Sequence, residues 1–219
     1  MDLRFDRVKM LFGDDFTRLQ EAKVLILGIG GVGGFALDCL YRSGVENITV
    51  VDFDSFEESN QNRQIGSEAL GESKVEVFKR LYPKIIGIQK RIDKEWIEEF
   101  DFGEFDVIID AIDDTKAKVE LAKRVHKKLI MSLGAGKRIE ASKIEVSTIW
   151  KTHTDALARK IRSELKRAKF NKNFKVVFST EEPKTKEFGS FVGVTGAFGL
   201  FCCSETIKMI LGNKRRKIR

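Results

Sequence analysis

A glycine-rich turn followed by an acidic residue is the first set of residues that could do chemistry. The stretch GIGGVGG, Gly28 to Gly34, follows the apolar run KVLIL and precedes a helical pattern. Glycine lets the backbone approach a phosphate, whose charge then faces the N-terminus of the next helix. Asp52 follows Gly33 by 19 residues, and its carboxylate can accept hydrogen bonds from ribose hydroxyls. The pattern predicts a nucleotide site and fits NAD as well as ATP. The candidate glycines are Gly28, Gly30, Gly31 and Gly33.

The polar segment after Asp52 favours a triphosphate. It reads DFDSFEESNQNRQIG, and Asn60 and Arg63 within it are expected to point into the nucleotide crevice, with Asp54 as a further contact. Lys74 begins the next helical pattern. An Arg and a Lys beside the phosphate turn neutralise charge on a phosphoryl oxygen and on departing pyrophosphate. An NAD-dependent oxidoreductase, whose chemistry takes place at the nicotinamide, has less need of them and is the disfavoured alternative.

Three acids lie within or directly after the carboxyl end of another apolar run, FDVIIDAID. Asp110, Asp113 and Asp114 lie at its carboxyl end, which is the edge where open α/β sheets bind ligands. A carboxylate there can hold Mg²⁺ together with phosphates. We expect Asp114 to cap the following helix and Asp113 to work in the site as the metal ligand.

Alternating strands and helices must position these residues. The apolar runs KVLIL, NITVVD, IGIQKRI, FDVIID and LIMSLGAG alternate with helical patterns. Nearly continuous apolar strands of this kind indicate a parallel sheet covered on both faces. The second half supplies the strand patterns KIEVSTI and FKVVFST, a long amphipathic helix between them, and a last helix from about Thr195 to Leu211. We expect these elements to extend the sheet, giving one α/β, Rossmann-like domain over residues 1–219.

The charge is basic and unevenly placed. The net charge is +7, concentrated in the tail NKRRKIR and in the segment ARKIRSELKRAKFNKNFK. Either this is a solvated helix face with a solubilising tail, or it is a surface for a polyanion. Charge alone leaves both interpretations open.

The cysteines and the apolar stretches indicate in which cellular compartment the protein is expected. Cys39, Cys202 and Cys203 form no CxxC pair, so no structural zinc is expected. An odd count favours a reducing compartment, with Cys39 packing in a helix and the other two buried and inert. No signal-peptide pattern is present at the start. The longest apolar stretch, Phe191 to Cys203, is shorter than the ~20 residues of a spanning helix, so a buried helix and a cytoplasmic protein without membrane contact are expected.

Taken together, the motifs resemble a known superfamily. RFDR, GIGGVGG, VDFD, SNQNRQ, GESKVEV and DAIDD, within residues 1–136, are similar to those of the ubiquitin-activating-enzyme-like adenylyltransferases. The resemblance implies ATP-dependent adenylation of a carboxylate with release of pyrophosphate. Asp52 would bind ribose, Asn60, Arg63 and Lys74 the phosphates, and Asp113 Mg²⁺. Arg7, otherwise a plain surface charge, would reach across a homodimer into the partner's ATP site.

The second half resembles one branch of that superfamily. SLGAGKRIEASKIEVSTIWKTHTDALARKIRSELKR, VVFSTEEP and GSFVGVTGAFG look like the tRNA threonylcarbamoyladenosine dehydratases. The resemblance implies ATP-dependent cyclisation of threonylcarbamoyl-adenosine, with residues 1–136 binding ATP and residues 137–219 facing tRNA. A basic helix and the tail would then meet tRNA phosphates. The helix residues proposed for this contact are Arg159, Lys160, Arg162, Lys166 and Arg167.

The chain departs from the branch at one loop. Some members carry a cysteine shortly before the segment matching FGSFVGVTG, whereas the region around Lys184–Glu187 has none and is short. A sulfur relay at that position is therefore in doubt, although a cysteine-desulfurase system is a candidate partner. The alternative function is an adenylyltransferase that activates the C-terminus of a ubiquitin-like sulfur carrier. The missing zinc pairs and the basic helix count against it. A binding module without catalysis is a further alternative, disfavoured by the complete set of polar residues.

Overall fold

The fold is built on one mixed sheet of seven strands. The glycine turn after the first strand lies at the point where the order of the strands in the sheet reverses. The computed structural model describes residues 3–212. The strand order is β3-β2-β1-β4-β5-β7-β6, and every neighbouring pair is parallel except β6 and β7. The strands are β1 (Lys23–Leu27), β2 (Asn47–Asp52), β3 (Ile86–Gln89), β4 (Val107–Asp110), β5 (Leu129–Ser132), β6 (Ile144–Thr148) and β7 (Lys175–Ser179).

Helices cover both faces of this sheet. Apolar residues alternate between the faces, so that Val24 and Ile26 join one core while Leu25 and Leu27 join the other. The helices are α1 (Asp6–Phe12), α2 (Phe16–Glu21), α3 (Gly33–Arg42), α4 (Lys74–Leu81), α5 (Lys94–Glu99), α6 (Thr115–Val125), α7 (Ala156–Arg167) and α8 (Val192–Leu211). The core with α3, α4 and α8 is separate from the core with α5, α6 and α7. The expected α/β, Rossmann-like fold is confirmed.

The second half extends the sheet, as expected. β7 adds in parallel to β5, and β6 closes that edge by pairing antiparallel with β7. β4 is shorter than the apolar run suggested: it ends at Asp110, and the residues that follow, through Asp113, form a loop. That loop lies beside the phosphate turn, because the Ala111 N–H donates to the Leu27 carbonyl over 2.8 Å.

The last helix is longer than the expected element. α8 starts at Val192 rather than near Thr195, and its 20 residues reach the length of a membrane span. Half of its apolar window is nevertheless buried inside the fold, packed against α3 and the sheet. Gly199 permits the closest approach, since a Cβ there would lie 2.4 Å from the Val32 carbonyl oxygen. We interpret α8 as a core helix.

The cysteines correct one expectation. Cys39 on α3 and Cys203 on α8 form a disulfide, with Cα atoms 6.1 Å apart, whereas both were expected to be unpaired. The cysteines therefore no longer argue for a reducing compartment. The separation of 164 residues hides the pairing from the sequence, because only the packing of α8 on α3 brings the two positions together. Cys202 is free and buried, and burial raises the pKa of its thiol to about 12.

Candidate active site

A single cleft at the carboxyl ends of β1, β2, β4 and β5 gathers the residues singled out from the sequence. Its volume is about 800 Å³, the size of a small-molecule site. It lies where the strand order reverses between β1 and β4, the switch point at which open α/β sheets bind ligands. The predicted residues that line it are Gly28, Gly30, Gly31, Asp52, Asp54, Asn60, Arg63, Lys74 and Asp113.

The glycine turn is held by close backbone contacts. Gly28 has a φ of +82°, and a Cβ there would lie 2.9 Å from the Ala111 carbonyl oxygen. A Cβ on Gly33 would lie 1.8 Å from the Gly28 carbonyl oxygen. Gly33 does not line the cleft, so its part is to let α3 start directly beneath the turn. The N-terminus of α3 then faces the cleft, which suits a phosphate.

Asp52 also has a structural role that the sequence pattern did not predict. Its buried carboxylate accepts hydrogen bonds from the backbone N–H groups of Ile29 at 2.8 Å and Asp54 at 2.9 Å. Burial raises the pKa of this carboxyl, and the two backbone donors oppose that rise. Asp52 therefore ties the glycine turn to the end of β2 while remaining in the cleft wall, where its oxygens retain capacity to accept further hydrogen bonds.

Lys74 is buried at the start of α4 and pairs with Asp54. The Nζ–Oδ2 distance is 3.1 Å, and the Lys74 N–H donates to the Asp54 carbonyl at 3.0 Å. Only 5% of Lys74 is exposed, so the cation is held in place on the cleft wall. A bound polyphosphate would give this ammonium a second anionic neighbour.

Asn60 and Arg63 belong to one short turn packed against the glycines. Asn60 is buried and closes a capping box with Glu57, whose N–H donates to its side-chain oxygen at 3.2 Å. Arg63 donates to the Ser59 carbonyl and to the Asn62 side chain, each at 2.8 Å. A Cβ on Gly31 would meet the Arg63 side chain at 3.1 Å. The Arg63 side chain thus lies beside the glycine turn and lines the cleft.

The neighbouring acids after β4 lie in different surroundings, and the expected cap by Asp114 is present. Asp114 caps α6, accepting from the N–H groups of Lys116 at 2.7 Å and Ala117 at 3.0 Å. Asp113 is exposed in the cleft. Within residues 3–212 its carboxylate makes no hydrogen bond or ion pair, which leaves it free for a ligand.

Asp110, the third acid, lies below the cleft in a buried ion pair. Its Oδ1 atom is 2.9 Å from Lys118 Nζ, and both side chains are almost completely buried. Lys118 also donates to the Ser132 carbonyl at 2.8 Å, while Asp110 Oδ2 is buried without a partner in the described chain. The pair joins the ends of β4, α6 and β5. Burial raises the pKa of the Asp110 carboxyl, and Lys118 opposes that rise.

The sequence missed a buried polar cluster in the far wall of the cleft. Arg138 is buried and donates to the carbonyls of Gly134 and Glu181, with the Asp155 carboxylate 3.5 Å from its other nitrogen. Asp155 caps α7 by accepting from Ala158 at 2.8 Å and also accepts from the Gly134 N–H at 3.1 Å. These residues fix the wall formed after β5. Arg138, Asp155 and Glu181 are 17 or more residues apart along the chain, so the sequence gave no local signal of this cluster.

An aromatic–cation pair beside Asp52 was also missed. Arg91 lies 4.0 Å above the centre of the Phe53 ring, and both residues line the cleft. Phe53 directly follows Asp52 and Arg91 follows β3, so each stands at a strand end. An apolar residue between two acids, as in DFD, was the signal that could have indicated Phe53.

The remaining predicted residues lie outside the cleft lining. Arg7 is exposed on α1. On α7, the exposed cations are Arg159, Lys160, Lys166 and Arg167, of which Arg167 pairs with Glu164 at 2.7 Å. Arg162 differs from the expected free cation, since it is half-buried and donates to Thr152 Oγ1. The basic tail, residues 213–219, lies outside the described residues.

The two ends of the cleft differ in chemical character. One end combines a helix N-terminus, two cations and carboxylates, which is the composition of a site for a nucleoside triphosphate. The other end reaches Ala156 and Leu157 at the start of α7, whose following turns carry the basic residues. A ligand activated at the first end can therefore be part of a larger anion that extends over α7.

Comparisons with known proteins agree with this arrangement. The model of the ThiF family matches residues 5–219. The chain is 34% identical to the tRNA threonylcarbamoyladenosine dehydratase of Bacillus subtilis over 82% of this chain and 76% of the relative. It is 31% identical to the protein of the same name from Haemophilus influenzae, over 96% and 97% of the two chains.

A solved structure extends the likeness to the fold. The crystal structure of E. coli tRNA N6-threonylcarbamoyladenosine dehydratase in complex with ATP superposes with a TM-score of 0.87 at 30% identity. The match covers 94% of this chain and 93% of that one. Because the family model spans nearly the whole chain, and both relatives and structure agree with it, the chain belongs to the ThiF family.

Proposed function

We propose that this chain catalyses the ATP-dependent cyclisation of threonylcarbamoyl-adenosine in tRNA, through adenylation of its carboxylate. The observation that carries the proposal is the single cleft, in which a triphosphate-type wall continues to the N-terminus of a basic helix. The names of the similar proteins support the same activity. The enzyme class is a carboxylate-adenylating ligase.

At the nucleotide end of the cleft, the glycine turn and several charged side chains would hold ATP. The turn Gly28–Gly31 and the start of α3 receive phosphates, and Asp52 accepts from the ribose. Arg63 and Lys74 neutralise the charge that develops as pyrophosphate leaves. Asn60 orders the turn that carries Arg63, and Asp54 holds Lys74 in position.

The reaction balances without a nucleophile from the protein. A carboxylate oxygen of the threonyl group attacks the α-phosphorus of ATP, and pyrophosphate departs with the electrons of the broken P–O bond. A nucleophile within the same modification then attacks the acyl carbon, and AMP leaves with the former carboxylate oxygen. The net change in the nucleoside is loss of water. Because the second step is intramolecular, positioning in the cleft is the main requirement.

Mg²⁺ fits this site as an ion shared between one carboxylate and the nucleotide. Among residues 3–212, no group of three or more His, Cys, Asp or Glu side chains could hold a metal. Mg²⁺ commonly uses one or two carboxylates together with substrate phosphates and waters. Asp113, exposed and unpaired in the cleft, is the residue that would hold it, and the ion would stabilise charge on the phosphates.

The tRNA would lie across α7. Arg159, Lys160 and Lys166 are exposed there, and Arg167 shares its charge with Glu164. Arg162 would contribute less, because it already donates to Thr152. Contacts to phosphates position a nucleic acid without reading its sequence. In this assignment residues 1–136 bind ATP and residues 137–219 face the tRNA.

The assembly and the compartment belong to the same proposal. Exposed apolar side chains on α1, Met10 and Leu11, and on α8, Leu200 and Phe201, supply a surface that a second copy would cover. Arg7 on α1 would then enter the partner's ATP site. The chain would act in the cytoplasm, with a cysteine-desulfurase system as a candidate partner.

The second candidate acceptor is the C-terminus of a ubiquitin-like sulfur carrier. It would use the same adenylation chemistry and the same nucleotide end. The far end of the cleft disfavours it, because a protein tail has no need of the exposed cations on α7.

A direct assay separates these two acceptors. Purified protein, ATP and Mg²⁺ are incubated with tRNA that carries threonylcarbamoyl-adenosine, and the nucleosides are analysed by mass spectrometry after digestion. The proposal expects loss of one water from that nucleoside only when ATP is present. Intact nucleoside, together with ATP–pyrophosphate exchange driven by a carrier-protein tail, would overturn the proposal and favour the second acceptor.

A further inference from the structure

An exposed aromatic ring lines the cleft beside Gly136, on the segment that follows β5. Phe188 lines the cleft, yet 84% of the residue is exposed, the largest value among the exposed large apolar residues of the described chain. It belongs to neither apolar core. No aromatic ring or cation within residues 3–212 stacks on it. A ring in this state is shielded from water only when a ligand covers it.

The loop that carries Phe188 is held by several hydrogen bonds. The Lys137 N–H donates to the Gly189 carbonyl at 2.8 Å, and the Lys184 N–H donates to the Lys137 carbonyl at 2.8 Å. Lys137 Nζ donates to the Lys186 carbonyl at 2.6 Å. These bonds join the loop to the segment that follows β5, so the backbone on either side of Phe188 is held in place.

The same loop is also joined to the nucleotide end. The Asn62 side chain donates to the Ser190 carbonyl at 3.2 Å, and Asn62 accepts from Arg63 at 2.8 Å. On the other side, the ring edge lies over Gly136, where a Cβ would be 3.4 Å from Phe188 Cζ. The backbone of the loop is therefore joined to the segment that bears Arg63, while the Phe188 ring remains accessible.

We propose that Phe188 is a stacking platform for an unpaired base of the tRNA substrate, next to the modified nucleoside. This inference rests on the proposed function, which brings single-stranded loop RNA to the cleft. Proteins recognise unpaired RNA bases mostly by stacking them on aromatic rings. A base stacked on Phe188 would be held in the cleft beside Gly136 while the modification on the neighbouring adenosine extends toward the phosphates. The ring is thus a specificity-determining residue for the RNA.

Variants of Phe188 test this role through the kinetics of each substrate. Removal of a stacking ring weakens RNA binding roughly 5- to 100-fold. We therefore expect Phe188→Ala to raise the KM for modified tRNA by that factor and to leave the KM for ATP unchanged. Phe188→Trp should restore the tRNA KM, because it also supplies a ring. Ile139→Ala is the matched control, since Ile139 is 60% exposed on the facing segment and does not line the cleft.

The salt dependence of tRNA binding distinguishes the loss of a stacking contact from the loss of a contact between charges. Stacking releases no counterions, so Phe188→Ala should lower the affinity for tRNA with an unchanged salt slope. An unchanged tRNA KM in Phe188→Ala would overturn the proposal, as would an equal effect of Ile139→Ala. A change of oligomeric state in Phe188→Ala, measured by sedimentation, with unaltered RNA affinity would instead make the ring a protein contact.

A binding measurement keeps this test separate from the test of the proposed function. The fluorescence of Phe188→Trp, corrected for Trp96 and Trp150 with the unsubstituted chain, is titrated with an anticodon stem-loop RNA carrying threonylcarbamoyl-adenosine. Quenching that saturates supports the platform, and absence of quenching overturns it. If the unsubstituted chain fails to dehydrate tRNA while quenching persists, the proposed function fails and the stacking site stands.

Discussion

At the scale of the residue, the nucleotide wall depends on a backbone conformation that glycine adopts far more readily than other residues. Gly28 combines a positive φ with close contact to the Ala111 carbonyl. Gly71 has a similar φ of +78° but no heavy atom within 4 Å of an added Cβ. Alanine substitutions at the two positions therefore separate the free-energy cost of a positive φ from the cost of steric contact with the added Cβ.

We predict that Gly28→Ala is the more damaging of these two substitutions. Gly71→Ala should cost about 1–2 kcal/mol of unfolding free energy, from conformation alone. Gly28→Ala should cost about 1–3 kcal/mol more, because a backbone atom must move, and it should weaken ATP binding. Urea denaturation and calorimetric titration with ATP measure both effects. Equal stability losses with unchanged ATP affinity would contradict the description of the turn.

Removal of the carboxylate should lower the stability of the fold at Asp114 and the turnover of the enzyme at Asp113. Asp114→Ala removes an N-cap and should cost about 1 kcal/mol of unfolding free energy. Asp113→Ala removes an exposed group that has no partner among residues 3–212, so stability should change by less than about 0.5 kcal/mol. Turnover should nevertheless fall at least about 100-fold in Asp113→Ala. Denaturation curves and the dehydration assay give the comparison, and normal turnover in Asp113→Ala would remove it from the site.

At the scale of the element, the buried Asp110–Lys118 pair joins three elements below the cleft. Lys118 is on α6, Asp110 ends β4, and the Ser132 carbonyl ends β5. Their loops form one wall of the cleft. A buried charge without its partner is costly, whereas removal of both charges is tolerated much better.

We predict that Lys118→Met destabilises the fold by about 3–5 kcal/mol near neutral pH. The double variant Lys118→Met, Asp110→Leu should recover a large part of that loss. The raised pKa of Asp110 makes the loss depend on pH. A group whose folded pKa is raised contributes most stability below its unfolded pKa and loses it as pH rises through the folded pKa.

The single variant should therefore approach the stability of the unsubstituted chain as pH falls toward the ordinary range of an Asp carboxyl. Urea denaturation at several pH values measures this change. A double variant as unstable as Lys118→Met, or a destabilisation that is independent of pH, would contradict the role of the ion pair.

Helix α7 carries the element-scale prediction for tRNA. Lys166→Ala with Arg167→Ala should weaken tRNA binding and reduce the salt slope by about 1 for each phosphate that is no longer neutralised. Lys79→Ala with Arg80→Ala is the matched control, because these cations end α4 on the opposite face of the sheet. Filter binding at several salt concentrations gives the slopes. Equal weakening in the two double variants would place the RNA elsewhere.

The parts of the site that the sequence predicted are those encoded locally. The glycine turn, Asp52 and Lys74 each stand directly at a strand end or a helix start, so hydrophobic periodicity locates them. The division between Asp113 and Asp114 follows from capping chemistry alone. Arg138, Asp155 and Phe188 were missed because their roles depend on contacts between distant segments. The disulfide between Cys39 and Cys203 was missed for the same reason.

At the scale of the whole molecule, one sheet brings the two halves of the chain to the same cleft. β5 from the first half pairs with β7 from the second, and α8 crosses back to pack on α3. The phosphate turn and the start of α7 are thereby held by the same sheet. This arrangement accounts for a reaction in which ATP and a large polyanion must meet at a single carboxylate.

The central claim is that this carboxylate is adenylated, and isotope transfer tests it most directly. Modified tRNA is prepared with oxygen-18 in the threonyl carboxylate and incubated with the protein, ATP and Mg²⁺. Attack of the carboxylate on the α-phosphorus, followed by ring closure, predicts that each AMP formed carries one oxygen-18 atom. AMP without the label, or label found in inorganic phosphate, would contradict the claim, because the activating bond would then have formed elsewhere.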